Sequence, residues 1–402
     1  MTLDLTGTSK RNIKKIIDRS KIFSFKNTAL KFELAKRGDY TNLDYNPTFK
    51  ASAIFFILLN KKLNSKICFL NYWKLKNKND NLSLLYTIRD NKGHTILRNF
   101  SEINKFTYEF DVRDILKNYN LKDFKGTFEL EFFSNQDLKY AFPAIQIFYE
   151  TLNGFSSVHT NQRIFNDLTD DQNNKSLNDL QTGFDVYSDN KYFSFFTFIN
   201  GPIALKNKKI KIEFYNIDNK KIIKTISFKN ILPYEVLYIE INKIIGKTFF
   251  KNNKGFCKVL SPTKNVFNRI MVGTFSKDKK YSSVTHSYYD CSKTKDYLRN
   301  SYLEKNSYKC FLPFNMAKNI NLDLVFYPIF SKTDLAVDLE IFSKNKKRSV
   351  LKNVFKLNKS DIFLRNININ QLIKENNLDD KAYCLNFRSK DDQLPSRFTF
   401  GM

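Results

Sequence analysis

Phe256-Cys257-Lys258-Val259-Leu260-Ser261 is a short apolar strand closed by a serine, and the chain carries that arrangement three times. Ser134 follows the apolar run at 128–132 and Ser389 the run at 383–387, so the three serines stand 127 and 128 residues apart. Two further marks keep the interval. Asp90-Asn91-Lys92, Asp218-Asn219-Lys220 and Lys344-Asn345-Lys346 place their asparagines 128 and 126 residues apart. Phe110-Asp111-Val112-Arg113-Asp114-Ile115-Leu116 is echoed by Ile239-Glu240-Ile241-Asn242-Lys243-Ile244-Ile245 and by Ile367-Asn368-Ile369-Asn370-Gln371-Leu372-Ile373. Self-similarity at one fixed period is the signature of a chain built from repeated structural units. A period of about 127 residues divides this chain into three.

Inside a unit the apolar pattern has the period of a strand. Ile210, Ile212 and Phe214 alternate with Lys211 and Glu213, which puts one face in a core and the other in water. Val236, Tyr238 and the continuation Ile239-Glu240-Ile241 read as the return strand. Ile54-Phe55-Phe56-Ile57-Leu58-Leu59 is apolar throughout, as a buried strand is. Asp90-Asn91-Lys92-Gly93 supplies turn residues that tolerate positive φ, so a hairpin is expected there, with His94 in water beside its tip. Trp73 is expected in the core, because Cys68, Leu70 and Tyr72 alternate as one face of a strand.

The fold expected is therefore all-β: three tandem antiparallel β-sandwich repeats of about 127 residues, jelly-roll or Ig-like, with a short N-terminal helix. Residues 1–48 form an extension in which Ser9 caps a basic helix over 10–20, with Ile13, Ile16 and Ile17 along one side. Repeat 1 covers 49–165, a linker 166–182, repeat 2 183–291, a second linker 292–307, and repeat 3 308–402. Each unit is long enough to bury a core of its own.

The chain has 402 residues, with 67 Lys and Arg against 40 Asp and Glu, a net charge of +27. Such an excess suits an anionic partner: an acidic glycan, nucleic acid or a charged surface. Lysine spread over every segment beside abundant Asn, Ile, Phe and Tyr also follows from codon bias in an AT-rich bacterial genome, and then it marks only solvated faces. The five cysteines, Cys68, Cys257, Cys291, Cys310 and Cys384, are odd in number and lack close pairs, as reduced thiols in a cytoplasmic protein would. No run approaches the roughly 18 apolar residues that span a bilayer.

The groups able to do chemistry crowd around the end of repeat 2. Arg269-Ile270-Met271-Val272-Gly273 matches Arg397-Phe398-Thr399-Phe400-Gly401, with the arginines 128 apart. His159 and His286 stand 127 apart, and Val158-His159-Thr160 is followed closely by Arg163. Only the middle unit holds both an Arg and a His of these series. If the strands around 271 and 284 pair through the turn at 276–280, Arg269 and His286 share one region with Asp290 nearby. A guanidinium beside an imidazole suits a carboxylate or phosphate. The bland reading is a hydrogen-bonded structural histidine and an arginine closing a salt bridge at a sandwich edge.

Other chemistries have less behind them. His286, Asp290 and Cys291 lack a second close histidine, so no metal site and no cofactor are expected. There is no phosphate-cradling glycine loop and no zinc-protease helix motif. The function expected is a non-catalytic binding or scaffolding protein for an anionic ligand, such as an acidic glycan, or for a protein partner. An enzyme with its site around Arg269, His286 and Asp290 is the alternative, and a nucleic-acid binder the third reading. Edge strands that must be covered leave room for homo-oligomers.

Overall fold

The computed structural model describes residues 48–139, 143–159, 162–164, 181–218, 220–250, 253–263, 266–267, 269–289, 309–315, 321–326, 335–343, 349–357, 365–378, 382–389 and 400–401. The expected N-terminal helix, Cys291 and nearly all of both expected linkers lie outside them. The described chain is mostly antiparallel β-sheet with a few short helices.

The first strands are β1 (Lys50–Leu59), β2 (Leu63–Leu70), β3 (Ser83–Asp90), β4 (Thr95–Glu102), β5 (Thr107–Asp111), β6 (Phe124–Phe133), β7 (Ala144–Thr151), β8 (Gly154–Val158) and the short β9 (Arg163–Ile164). Then come β10 (Gln181–Tyr187), β11 (Tyr192–Ile199), β12 (Leu205–Asn216), β13 (Lys221–Ile231), β14 (Val236–Glu240), β15 (Lys254–Leu260), β16 (Val266–Phe267), β17 (Met271–Ser276), β18 (Ser282–His286) and β19 (Tyr288–Tyr289). The last group is β20 (Lys309–Asn315), β21 (Asp323–Phe326), β22 (Leu335–Ser343), β23 (Ser349–Leu357), β24 (Arg365–Asn368), β25 (Ala382–Ser389) and β26 (Phe400–Gly401). Among the described residues three α-helices intervene: α1 (Tyr72–Asn77), α2 (Val112–Lys117) and α3 (Ile369–Glu375).

Strand order recurs. One sheet runs β1-β6-β3-β4, another β13-β12-β15-β10-β19 and a third β20-β25-β22-β23; read from β10, the second repeats the order of the first. The remaining sheets run β5-β2-β7-β8, β14-β11-β17-β18 and β24-β21-β26, with the two-stranded β16-β9. The serine marks sit just after or at the end of β6, β15 and β25, and Asn91 in the turn after β3; Asn219 and Asn345 lie outside the described residues.

The third mark differs from its expected form. Ile239-Glu240-Ile241 does not continue as strand: β14 stops at Glu240, and residues 241–243 form a 3-10 turn, as β5 gives way to α2 and β24 to α3. Before α2 and α3 a cap explains the switch: Asp111 and Asn368 sit in extended conformation, Asp111 accepting the Arg113 and Asp114 amides and Asn368 the Gln371 amide, whereas Glu240 makes no such bond. Trp73 is buried as expected, but on α1: Asn71 caps that helix and ends β2 before Tyr72.

The first two groups of strands do not keep separate cores. Phe193, Phe195, Phe198, Val236, Met271 and Phe275 pack in the same cluster as Phe55, Ile57, Ile67 and Phe128. Phe196, Ile212, Phe214, Cys257 and Val272 form a second cluster on the other side of β11. Both faces of β11 are therefore covered, the reason Tyr192–Ile199 is apolar almost without break. The Tyr149 hydroxyl donates to the Phe56 carbonyl and lies 2.6 Å from Met271 Sδ. Gln162 receives the Ile54 amide on its carbonyl at 3.0 Å and donates its Nε2 to the Ile199 carbonyl at 2.5 Å.

A polar clamp holds the opposite side of this junction. Arg89 Nη1 lies 2.7 Å from Glu129 Oε2 with both side chains buried, and the guanidinium stacks 4.0 Å from the Tyr234 ring. Burial pushes the Glu129 carboxyl up, and Arg89 works against that rise. In the turn after β3, Asn91 accepts the Val236 amide at 3.0 Å and Lys92 pairs with Glu235 at 2.7 Å. Gly93, at φ +90°, presses against the backbone of Pro233.

Candidate functional site

The strands β17 and β18 form the expected hairpin, with Met271 opposite His286. Its β18 edge lies along β8, and the contacts join residues 126 or 127 positions apart. Ser156 Oγ is 3.0 Å from Ser282 Oγ, the Asn153 amide donates to the Lys280 carbonyl at 3.3 Å, and the rings of His159 and His286 meet edge-on at 5.2 Å. Two of the expected site residues from different units are thus brought together at a junction of sheet edges.

His286 is fixed there by its own chain. Its Nδ1 donates to the Ser287 carbonyl at 2.8 Å. Ser287 is fully buried; its amide donates to the Ile270 carbonyl at 2.7 Å, and its hydroxyl accepts the Ile270 amide at 3.0 Å and meets Thr182 Oγ1. Burial drives the His286 pKa down to about 4; its bond to Ser287 resists, and the neighbouring Arg269 and His159 lower it further. The imidazole is consequently neutral at physiological pH, protonated on Nδ1. It offers an anion a lone pair rather than a charge.

Arg163 is buried on β9, which pairs with β16, and its partner in that register is Phe267, two residues before Arg269. His159, His286, Arg163 and Arg269 therefore belong to one stretch of the junction. Asp290 and Arg397 lie outside the described residues. Among the described residues no group of three or more His, Cys, Asp and Glu side chains is arranged to hold a metal. Cys68, Cys257 and Cys384 are in no disulfide, and burial pushes the Cys257 thiol well above its usual range.

A second candidate lies on the β12–β13 ribbon. Residues 205–231 carry eight lysines against Glu213 and Asp218, a net +6, whereas the corresponding hairpin 83–102 carries Arg89, Lys92 and Arg98 against Asp90 and Glu102, a net +1, and the sequence of the third, 335–357, has six Lys and Arg against Asp338 and Glu340, a net +4. Glu213 pairs with Lys211 at 3.3 Å and Lys221 at 3.2 Å. Lys206, Lys208, Lys209, Lys224 and Lys229 are exposed and make no ion pair among the described residues. Asn207, at φ +51°, drops out of the pairing register, and beside it opens a shallow depression lined by Lys206, Asn207, Ser227, Phe228, Lys229 and Asn230. Net charge over the whole chain hid this gradient; comparing the three corresponding hairpins reveals it.

No family model matches the chain, and no curated protein matches it. Among solved structures, β-glucuronidase 2 of Bacteroides uniformis, covalently bound to cyclophellitol-6-carboxylate aziridine, overlaps at 10% identity and a TM-score of 0.15, over 63% of this chain and 27% of that one. The β-glucuronidase of Parabacteroides merdae with glycerol in its active site overlaps at 9% identity and a TM-score of 0.13, over 60% and 28%. A tetra-tandem repeat from the extending region of a large adhesion protein overlaps at 8% identity and a TM-score of 0.10, over 79% and 66%. The chain spans about a quarter of the length of the glucuronidases. TM-scores of this size carry neither fold nor activity to it.

Proposed function

We propose that the chain is a non-catalytic scaffold of three tandem antiparallel β-sandwich repeats, and that its second repeat binds an acidic glycan along the β12–β13 ribbon. The three matching strand orders support the repeat reading. The observation that carries the ligand is the charge of the ribbon. Its net +6 stands above the +1 of the β3–β4 hairpin and the +4 of the β22–β23 hairpin, so of the three it is the one that presents the most cationic surface.

The depression beside Asn207 supplies what a charged sugar needs. Lys206 and Lys229 offer ammonium groups for a carboxylate or sulfate. Asn207, Ser227 and Asn230 offer hydrogen bonds to hydroxyls, and half-buried Phe228 offers an apolar surface. Lysines on a rigid ribbon act as point charges, which fits recognition of a repeating anionic backbone rather than of one small metabolite. The neutral His286, tied to Ser287 and pressed against His159, has the place of a structural joint between repeats.

The test is titration of the full chain with a polyuronate and with a sulfated glycan at low and moderate salt, beside a variant with Lys206, Lys208, Lys209 and Lys229 all changed to Gln. Wild type is expected to bind with an affinity that falls as salt rises, and the variant to bind about tenfold more weakly or worse. Equal affinity of the two proteins would remove the ribbon from the reading. Tight binding of duplex DNA with none of either glycan would turn it toward nucleic acid.

A further inference from the structure

Four turns come together: the hairpin turns after β7 and β17, and the turns after β1 and β10, which pass from one sheet to another. Lys62 Nζ donates to the Asp278 carbonyl at 3.2 Å, the Thr151 hydroxyl to the Lys280 carbonyl at 2.8 Å, and the Lys277 amide to the Lys191 carbonyl at 2.8 Å. The turns are thereby joined into a single surface.

Three large apolar side chains stand out of it. Leu152 is 60% exposed, Phe155 67% and Tyr281 50%. Leu152 is next to Asn153, whose amide reaches Lys280; Tyr281 follows Lys280 directly; and Phe155 precedes Ser156, whose hydroxyl meets that of Ser282, so the three residues lie close together across two hairpins. Phe155 is steadied by edge contact with Phe148, their ring centroids 5.7 Å apart.

Around the patch Lys61, Lys62, Lys277 and Lys280 are exposed. The acids of these turns are engaged in shaping them: Asp189 accepts the Lys191 and Tyr192 amides, and Asp278 accepts the Ser276 hydroxyl and the Lys280 amide. Lys279 is folded away from the collar, its ammonium 4.2 Å from the Phe193 ring centroid and 4.5 Å from that of Phe275.

We propose that this tip docks on an anionic bilayer, with Leu152, Phe155 and Tyr281 entering the headgroup region and the collar lysines meeting the acidic headgroups. The match is one of charge and polarity. Apolar groups presented at turn tips and ringed by cations complement acyl chains lying beneath acidic headgroups, and both terms add to binding. Tyrosine is suited to that depth because its ring is apolar and its hydroxyl polar.

The test is co-sedimentation of the full chain with phosphatidylcholine vesicles and with vesicles that also contain phosphatidylserine, at about 0.1 M and about 0.5 M salt. Wild type is expected to sediment with the anionic vesicles only, and less at the higher salt. Changing Leu152, Phe155 and Tyr281 together to Ser is expected to lower partitioning about tenfold or more while the melting temperature stays unchanged. Replacing Lys61 and Lys280 with Gln is expected to weaken binding and its salt dependence. The glycan-ribbon variant with four Gln substitutions is expected to sediment like wild type, so the two surfaces fail or succeed separately. Sedimentation unaffected by the triple Ser change, or absent with anionic vesicles, overturns the proposal. Loss of self-association in the triple Ser variant, without vesicle binding by wild type, would assign the patch to a second copy of this chain instead.

Discussion

His286 joins local chemistry to stability. Its folded pKa of about 4 lies below the roughly 6.5 of an unfolded histidine. The unfolded chain therefore binds the extra proton first as pH falls, and the stability this residue contributes is full above about pH 6.5 and is lost between there and about pH 4. Because the ring is only partly buried, solvent screening reduces the effect to roughly 2 kcal/mol. Urea unfolding of wild type and His286→Gln at pH 7.5 and 4.5 is expected to show the difference between the two proteins changing by about that amount. A pH-independent difference would mean that the imidazole titrates normally in the fold. The carboxyls of Asp90, Asp278 and Glu213, all held below their usual range, add acid lability of their own, but they cancel in the comparison.

At the scale of the element, the turn after β3 shows how closely two hairpins fit. A Cβ at Gly93 would lie 2.1 Å from the Pro233 carbonyl oxygen, and the φ of +90° is one that other residues rarely adopt. Gly93→Ala is expected to lower stability by roughly 2 kcal/mol or more, measured by chemical denaturation, because the obstacle is backbone and the strain is local. A change under about 0.5 kcal/mol would show that the turn slides free of the 232–235 loop. The presence of this turn was legible in Asp90-Asn91-Lys92-Gly93. What it docks against was not, since nothing local to residues 90–93 records a partner 140 residues away. The helix after β5 was hidden for a different reason: Val112, Ile115 and Leu116 suit either period over so short a run, and only the capping role of Asp111 decides between them. The ribbon lysines were in plain sight but were averaged into the composition. That His159 and His286 are equivalent was legible in their spacing, but that their rings meet was not, and the place of Arg163 depended on a two-residue strand that no periodicity predicts.

Across the whole molecule the governing fact is the cluster that runs from Phe55 and Phe128 through Tyr149 to Met271, Phe275 and Phe195. Surfaces that share buried aromatic packing unfold together when the shared part is a large fraction of each. A fragment of residues 48–289 is expected to melt in one transition whose calorimetric and van't Hoff enthalpies agree. Two resolved transitions would show that the strands on either side of residue 165 fold as separate bodies.

The contact of β8 with β18 sets Asn153 against Lys280, Ser156 near Ser282 and His159 against His286, each residue beside one 126 or 127 positions further on. Like meets like only close to an axis of rotation, so this is the kind of contact that two unlinked copies of one unit would make with each other. Two such copies would part on dilution. Carried on a single chain, they face each other at an effective concentration on the order of millimolar, and the joint holds however scarce the protein becomes.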